Sequence, residues 1–98
     1  MNRAKVLVVE DDNFTRSTLV AAIRTQGIEV VGSASNARDA LAIQARFAPD
    51  IAMLDFDLGP GPTGIDVAHA LRSRQPNIGI LILSTFRDPR LLSTKLPP

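Results

Sequence analysis

Four short apolar runs separated by stretches of helical spacing set the rhythm of this chain. Val6, Leu7, Val8 and Val9 are unbroken, apolar and mostly β-branched, the pattern of a parallel strand buried on both faces. Three acids, Glu10, Asp11 and Asp12, end that run abruptly. Asp12 is placed to cap a following helix, in which Phe14, Thr18, Leu19, Ala22 and Ile23 make one stripe at helical spacing. Gly27 stands where a C-terminal cap is expected, and residues 28–31 alternate weakly, like a strand near a sheet edge. Asn36 caps a second helix whose Ala37, Ala40, Leu41 and Ala45 share a face. Residues 51–54 are a third strand, with Met53 in the core, and it ends in an acid, Asp55. The stretch from Asp57 to Gly64 holds too much Gly and Pro to be regular. A third helix is predicted from about Ile65 to Arg74, with Ile65, Ala68 and Leu71 inward, and residues 78–83 form a fourth buried strand ending at Ser84 and Thr85.

Strand and helix in turn, with strands apolar on both faces, predict an α/β fold: a parallel sheet covered by helices on both sides. Beyond Phe86 the pattern decays. Residues 87–93 fit one or two helical turns, and Leu96-Pro97-Pro98 cannot continue a helix. No internal repeat or linker is visible, so residues 1–98 read as one domain.

Composition narrows the partners. The 98 residues are 45% apolar and 21% charged with a net charge of +1, so nothing compels nucleic acid or an anionic membrane. There is no cysteine, hence no disulfide and no thiolate metal site. No apolar run approaches the roughly 20 residues that span a bilayer, and the run before Glu10 is too short for a secretory core. A cytoplasmic location is expected.

The chemistry gathers at the strand ends, where ligands of open parallel sheets bind. The first strand delivers Glu10 and Asp11, the third Asp55, and the fourth Ser84. Carboxylates converging there repel one another unless a cation neutralises them. An all-oxygen set without His or Cys favours a hard ion, Mg²⁺ or else Mn²⁺. Such a metal suits phosphoryl transfer, with a carboxylate as nucleophile and a hydroxyl bonding the phosphate. The plain alternative is that the acids are helix caps. For Asp12 that suffices, while for Glu10, Asp11 and Asp55 the residues alone leave both readings level. His69, the single histidine, reads as a solvent-facing helix residue rather than a phosphorelay group. Arg72 and Arg74 suit a helix C-terminus.

Residues 6–12, Met53-Leu54-Asp55 and residues 80–84 together resemble the three motif-bearing strand ends of response-regulator receiver domains. The resemblance runs from about Lys5 to Phe86. It implies a doubly wound, flavodoxin-like (CheY-like) receiver fold and Mg²⁺-dependent transfer of a phosphoryl group from the phosphohistidine of a sensor histidine kinase. It implies Asp55 as phosphoacceptor, Asp11 as direct metal ligand, Glu10 acting through water, the Asp57 backbone carbonyl as a further ligand, and Ser84 as the switch hydroxyl. Full-length relatives often carry a DNA-binding output domain, so transcription is the expected output of the longer protein, with no nucleic acid bound by these residues.

Two departures stand out. The loop from Phe56 to Gly64 is slightly longer than the family's usual one, and Asp57 adds an acid whose side chain could slow or redirect dephosphorylation. The family's fifth strand, with its lysine and aromatic switch residue, and the fifth helix are not found. Lys95 follows Ser84 too soon to be that lysine. The expectation is therefore a receiver lacking its last βα unit, with the fourth strand as an edge and a homodimer possible through that strand and the first helix. Two other functions are weighed: a receiver-like interaction module that no longer switches, and a haloacid-dehalogenase-like phosphatase suggested by Asp55-Phe56-Asp57. The second is disfavoured because another acidic strand end precedes that pair. The receiver reading itself is not that of an enzyme.

Overall fold

The computed structural model describes residues 3–83, and the predicted alternation is complete within them. The elements are β1 (Lys5–Val9), α1 (Asn13–Thr25), β2 (Glu29–Ala34), α2 (Ala37–Phe47), β3 (Ile51–Asp55), α3 (Gly64–Arg74) and β4 (Gly79–Leu83). The strands form one parallel sheet in the order β2-β1-β3-β4. The chain winds outward from β1 to β2, then crosses back to place β3 on the other side of β1. The direction of winding therefore reverses between β1 and β3, the switch point at which open α/β sheets open a crevice. The expected features at Ser84, Thr85, residues 87–93 and Lys95 lie outside the described residues.

The two central strands carry the core because their alternate side chains feed two layers. Leu7, Val9, Ala52 and Leu54 pack with Ala40 of α2 and with Val67 and Leu71 of α3. Val6 and Val8 pack on the opposite face with Ile23, Leu19 and Val20 of α1. Leu7, Val8 and Leu54 are wholly buried, and full burial of such a side chain contributes about 1.5–3 kcal/mol. Val31 interrupts the β1–β2 register, which shifts between Val6 and Leu7, so β2 bulges once along its length.

The helix starts follow the expected chemistry. Asp12 accepts the Thr15 N–H at 2.7 Å, and Asn36 accepts the Asp39 N–H at 2.9 Å. At α3 the cap is Thr63, reciprocated by Asp66, and the helix begins at Gly64. Gly27 takes a left-handed φ of 78° just past α1 and donates to the Arg24 carbonyl at 3.0 Å, as expected of a terminating glycine. At the end of α2 the same left-handed role falls to Ala48, φ 44°, whose N–H bonds the Gln44 carbonyl.

Several inward positions differ from expectation. Phe14 is 80% exposed, and Thr18 and Ala22 are exposed, because α1 turns Leu19, Val20 and Ile23 to the sheet instead. On α3, Gly64, Val67 and Leu71, spaced three and then four apart, form the buried line. Ile65 lies two residues from Val67, across the helix, and is exposed. On α2, Ala45 is exposed and Gln44 is buried in its stead. Gln44 can be buried because its Nε2 donates to the Leu71 carbonyl at 2.8 Å and to Gln75 Oε1 at 3.1 Å. Met53 is only half-buried against the α1 layer. β4 is half-buried rather than buried, with Leu81 48% exposed, and among the described residues it is the outermost strand beyond β3. No helix among the described residues is long and apolar enough to cross a membrane.

Ala48 offers a direct check on the backbone account. An L-residue in the left-handed region is strained where glycine is not, so Ala48→Gly is expected to stabilise the chain by about 0.5–1 kcal/mol. The midpoint of urea denaturation measures it, and an unchanged or lowered midpoint contradicts the assignment.

Candidate cation and phosphoacceptor site

The register of the central pair places the acids. Val9 lies beside Leu54, so the next residues, Glu10 and Asp55, leave the sheet side by side. Glu10 extends the β1–β2 ladder by one bond, its N–H donating to the Ala34 carbonyl at 2.9 Å. Beyond Asp55 the Phe56 N–H donates to the Leu83 carbonyl at 2.9 Å. Both strand ends are thus held by backbone bonds at the point where their carboxylates emerge. Glu10 and Asp55 are each 3% exposed and Asp11 is half-buried.

Glu10, Asp11 and Asp55 each offer a carboxylate oxygen, and these oxygens lie within 4.8 Å of one another. Burial first, then the neighbouring Asp11 carboxyl and the charge of Asp55, push the Glu10 carboxyl up to about 7; the Asp12 N–H, at 3.2 Å from Glu10 Oε2, opposes that rise. Three carboxylates so close, with no imidazole or thiolate among them, fit a hard divalent cation better than a transition metal of softer taste. Asp12 is exposed and occupied as the α1 cap, as expected. His69 is exposed on α3. Ser84 lies outside the described residues.

Asp57 stands apart from the three. It is exposed, its N–H donates to Asp55 Oδ1 at 3.4 Å, and its own Oδ1 accepts the Gly59 N–H at 3.0 Å. Its carboxylate is not one of those that gather. On the α1 side the acids open into an apolar groove of about 350 Å³, with Phe14, Thr18, Leu19, Ala22 and Leu83 along it.

Two residues essential to this geometry escaped the sequence reading. Arg16 Nη1 donates to the Glu10 carbonyl at 2.8 Å while Nη2 reaches Asn13 Oδ1 at 2.6 Å, so the guanidinium clasps the turn that presents Glu10 and Asp11. Its signal was an arginine one helical turn after the Asp12 cap. Gly64 begins α3 directly against β3: its N–H donates to the Phe56 carbonyl at 2.9 Å, and a Cβ there would overlap the Asp55 carbonyl. The crowded Gly-Pro loop hid the need for a bare backbone at that position.

Comparison with known proteins agrees with the fold. The response regulator receiver domain model matches residues 6–96, and the chain belongs to that family, a family of two-component signalling modules. It is 35% identical over 82 residues to the chemotaxis protein CheY of Thermotoga maritima, covering 84% of this chain and 68% of that protein. It is 36% identical over 88 residues to a protein-glutamate methylesterase/protein-glutamine glutaminase of Halalkalibacterium halodurans, covering 89% of this chain but only 25% of that protein. Among solved structures, the chemotaxis protein CheY4 of Vibrio cholerae superposes with a TM-score of 0.78 at 30% identity, over 94% of this chain and 77% of that one.

Two outcomes test the geometry. Gly64→Ala must displace the start of α3 from the Asp55 carbonyl and is expected to cost about 1–3 kcal/mol in urea denaturation; a neutral result contradicts the close approach. The pH dependence follows from Glu10. Its folded pKa of about 7 lies above its ordinary 4.5, so between those values the folded chain holds more proton than the unfolded chain. This contribution to stability is therefore fully present below the ordinary value and is lost as pH rises through about 7. In chelator, the urea midpoint is expected to be higher at about pH 5 than at about pH 7.5, and Glu10→Gln should flatten that difference.

Proposed function

We propose that this chain is the phospho-accepting receiver of a two-component system, with Asp55 as phosphoacceptor for a sensor histidine kinase and Mg²⁺, or Mn²⁺, as cofactor. The observation that carries the reading is the buried Asp55 at the end of β3, gathered with Glu10 and Asp11 within 4.8 Å at the switch point of a receiver fold. In this reading an Asp55 Oδ attacks the phosphorus of a phosphohistidine. The P–N bond breaks, its electron pair stays on the imidazole nitrogen, and an acyl phosphate forms on Asp55. A divalent cation supplies positive charge for the phosphoryl oxygens. Asp11 and Asp55 carboxylates and the Asp57 carbonyl are its assigned protein ligands, with Glu10 acting through a water. Ser84, one residue past β4, is assigned the hydroxyl that bonds the phosphate.

The chain's own residues prepare this chemistry before any partner arrives. Arg16 holds the Glu10 turn, and Gly64 lets α3 begin against the Asp55 carbonyl. The ladder bonds at Glu10 and Phe56 keep both acidic strand ends at fixed height. Preorganised groups of this kind serve a reaction in which the protein mainly positions atoms and neutralises charge.

We place the chain in the cytoplasm, and we assign residues 1–98 to one receiver unit of a longer protein whose output is transcription, on the family resemblance. The chain spans only a quarter of the methylesterase relative, so that enzyme's activity is not carried over. A homodimer through β4 and α1 belongs to the same reading, supported by the exposed Leu81 and Phe14.

Incubation with Mg²⁺ and a small phosphodonor, read by intact mass, tests the proposal. One added phosphoryl group that is abolished by chelator and by Asp55→Asn is the expected result. Phosphorylation that persists in Asp55→Asn, or none in the native chain, contradicts it.

A further inference from the structure

The stretch between β3 and α3 is a strap whose shape is set by few degrees of freedom. Gly59 and Gly61 take left-handed φ values of 81° and 101°, and Pro60 and Pro62 have their own φ locked by their rings. Leu58, 8% exposed, pegs the strap into the core layer beneath α2 and α3. The strap touches both acidic strand ends. At its start the Asp57 N–H reaches Asp55 Oδ1, and two residues on Gly59 passes so close to Asp11 that a Cβ on it would sit 3.3 Å from Asp11 Oδ2. The side chain of Asp57 ties those two points together, its Oδ1 accepting the Gly59 N–H at 3.0 Å.

A carboxylate in this place invites the view that it serves the site by its charge. The geometry favours another role, because the Asp57 carboxyl is exposed and turned to its own backbone two residues on, as in an Asx turn. We infer that Asp57 is a positioning residue for the cation site, its side chain holding the strap so that the Asp57 N–H and Gly59 lie against Asp55 and Asp11. The inference rests on the reading of the acidic cluster as a cation site. It assigns the side chain of Asp57 a task distinct from that of its backbone carbonyl.

Charge and position make opposite demands on substitutions here. Asparagine keeps an acceptor oxygen at the same reach and loses the charge. Glutamate keeps the charge, but its longer stem misplaces the acceptor for a bond two residues on. Alanine loses both.

Binding of Mn²⁺ to the 98-residue chain, followed by electron paramagnetic resonance of the free ion, separates these demands without reliance on activity. The positioning role predicts Asp57→Asn close to native affinity, and Asp57→Ala and Asp57→Glu both weakened about three- to tenfold, as expected for loss of one ordering hydrogen bond. Native-like affinity in Asp57→Glu with loss in Asp57→Asn would overturn it in favour of charge. Native-like affinity in Asp57→Ala would also overturn it. Failure of the native chain to bind Mn²⁺ would instead sink the reading of the cluster itself, and the inference with it. Circular dichroism of the same samples establishes that each variant is folded, and the Asn–Glu comparison decides the matter even if the alanine variant is not.

Discussion

Everything at the candidate site depends on the register of two buried parallel strands. β1 and β3 are apolar on both faces, and their pairing sets Val9 beside Leu54. Glu10 and Asp55 follow at the same height and turn to the same face of the sheet. Because side chains alternate, a slip of one residue would send Asp55 to the face opposite Glu10 and disperse the cluster. Such a slip would also carry Leu54 and Ala52 out of the layer they share with Val67 and Leu71. The hydrophobic core therefore holds three mutually repelling carboxylates together. The electrostatic tension shows in Glu10, whose carboxyl is driven up to about 7 chiefly by its burial.

Around this pair the remaining elements relieve or direct the tension. The Asp12 cap starts α1, and the Arg16 guanidinium one turn later returns to the Glu10 carbonyl, so a single helical turn both closes and braces the acidic corner. On the other side the strap from Asp57 to Thr63 crosses from Asp55 toward Asp11 before the Thr63–Asp66 capping box starts α3. Local chemistry of caps and turns thus braces the acidic corner from both sides. The apolar groove beside the acids, with Phe14 at its rim, lies on the α1 side of the same corner.

The alternation of strands and helices was legible because buried parallel strands write unbroken apolar runs. The acids were legible because the runs of β1 and β3 end in them. Asp12, Asn36 and Gly27 were readable as helix ends from residue type alone, and their bonds agree. What escaped depends on contacts distant in sequence. Gln44 looks like a surface residue until α3 presents the Leu71 carbonyl to it, and Ile65 looks apolar enough for the core until Val67 sets the phase of α3. Phe14 falls on the apolar stripe of α1 for the same reason, and only the packing of Leu19, Val20 and Ile23 sets the rotation that exposes it. Ala48 gave no sign of its left-handed turn, and Gly64 gave no sign of its approach to β3, since both are demanded by neighbours rather than by local propensity.

The central claim is that the folded chain holds a divalent cation between the ends of β1 and β3, beside Asp55, the proposed phosphoacceptor. Anomalous diffraction from crystals grown with Mn²⁺ tests this most directly. The account predicts one strong peak bonded by the carboxylates of Asp11 and Asp55 and the carbonyl of Asp57. A strong peak elsewhere on the chain, with none among these three residues, would contradict it.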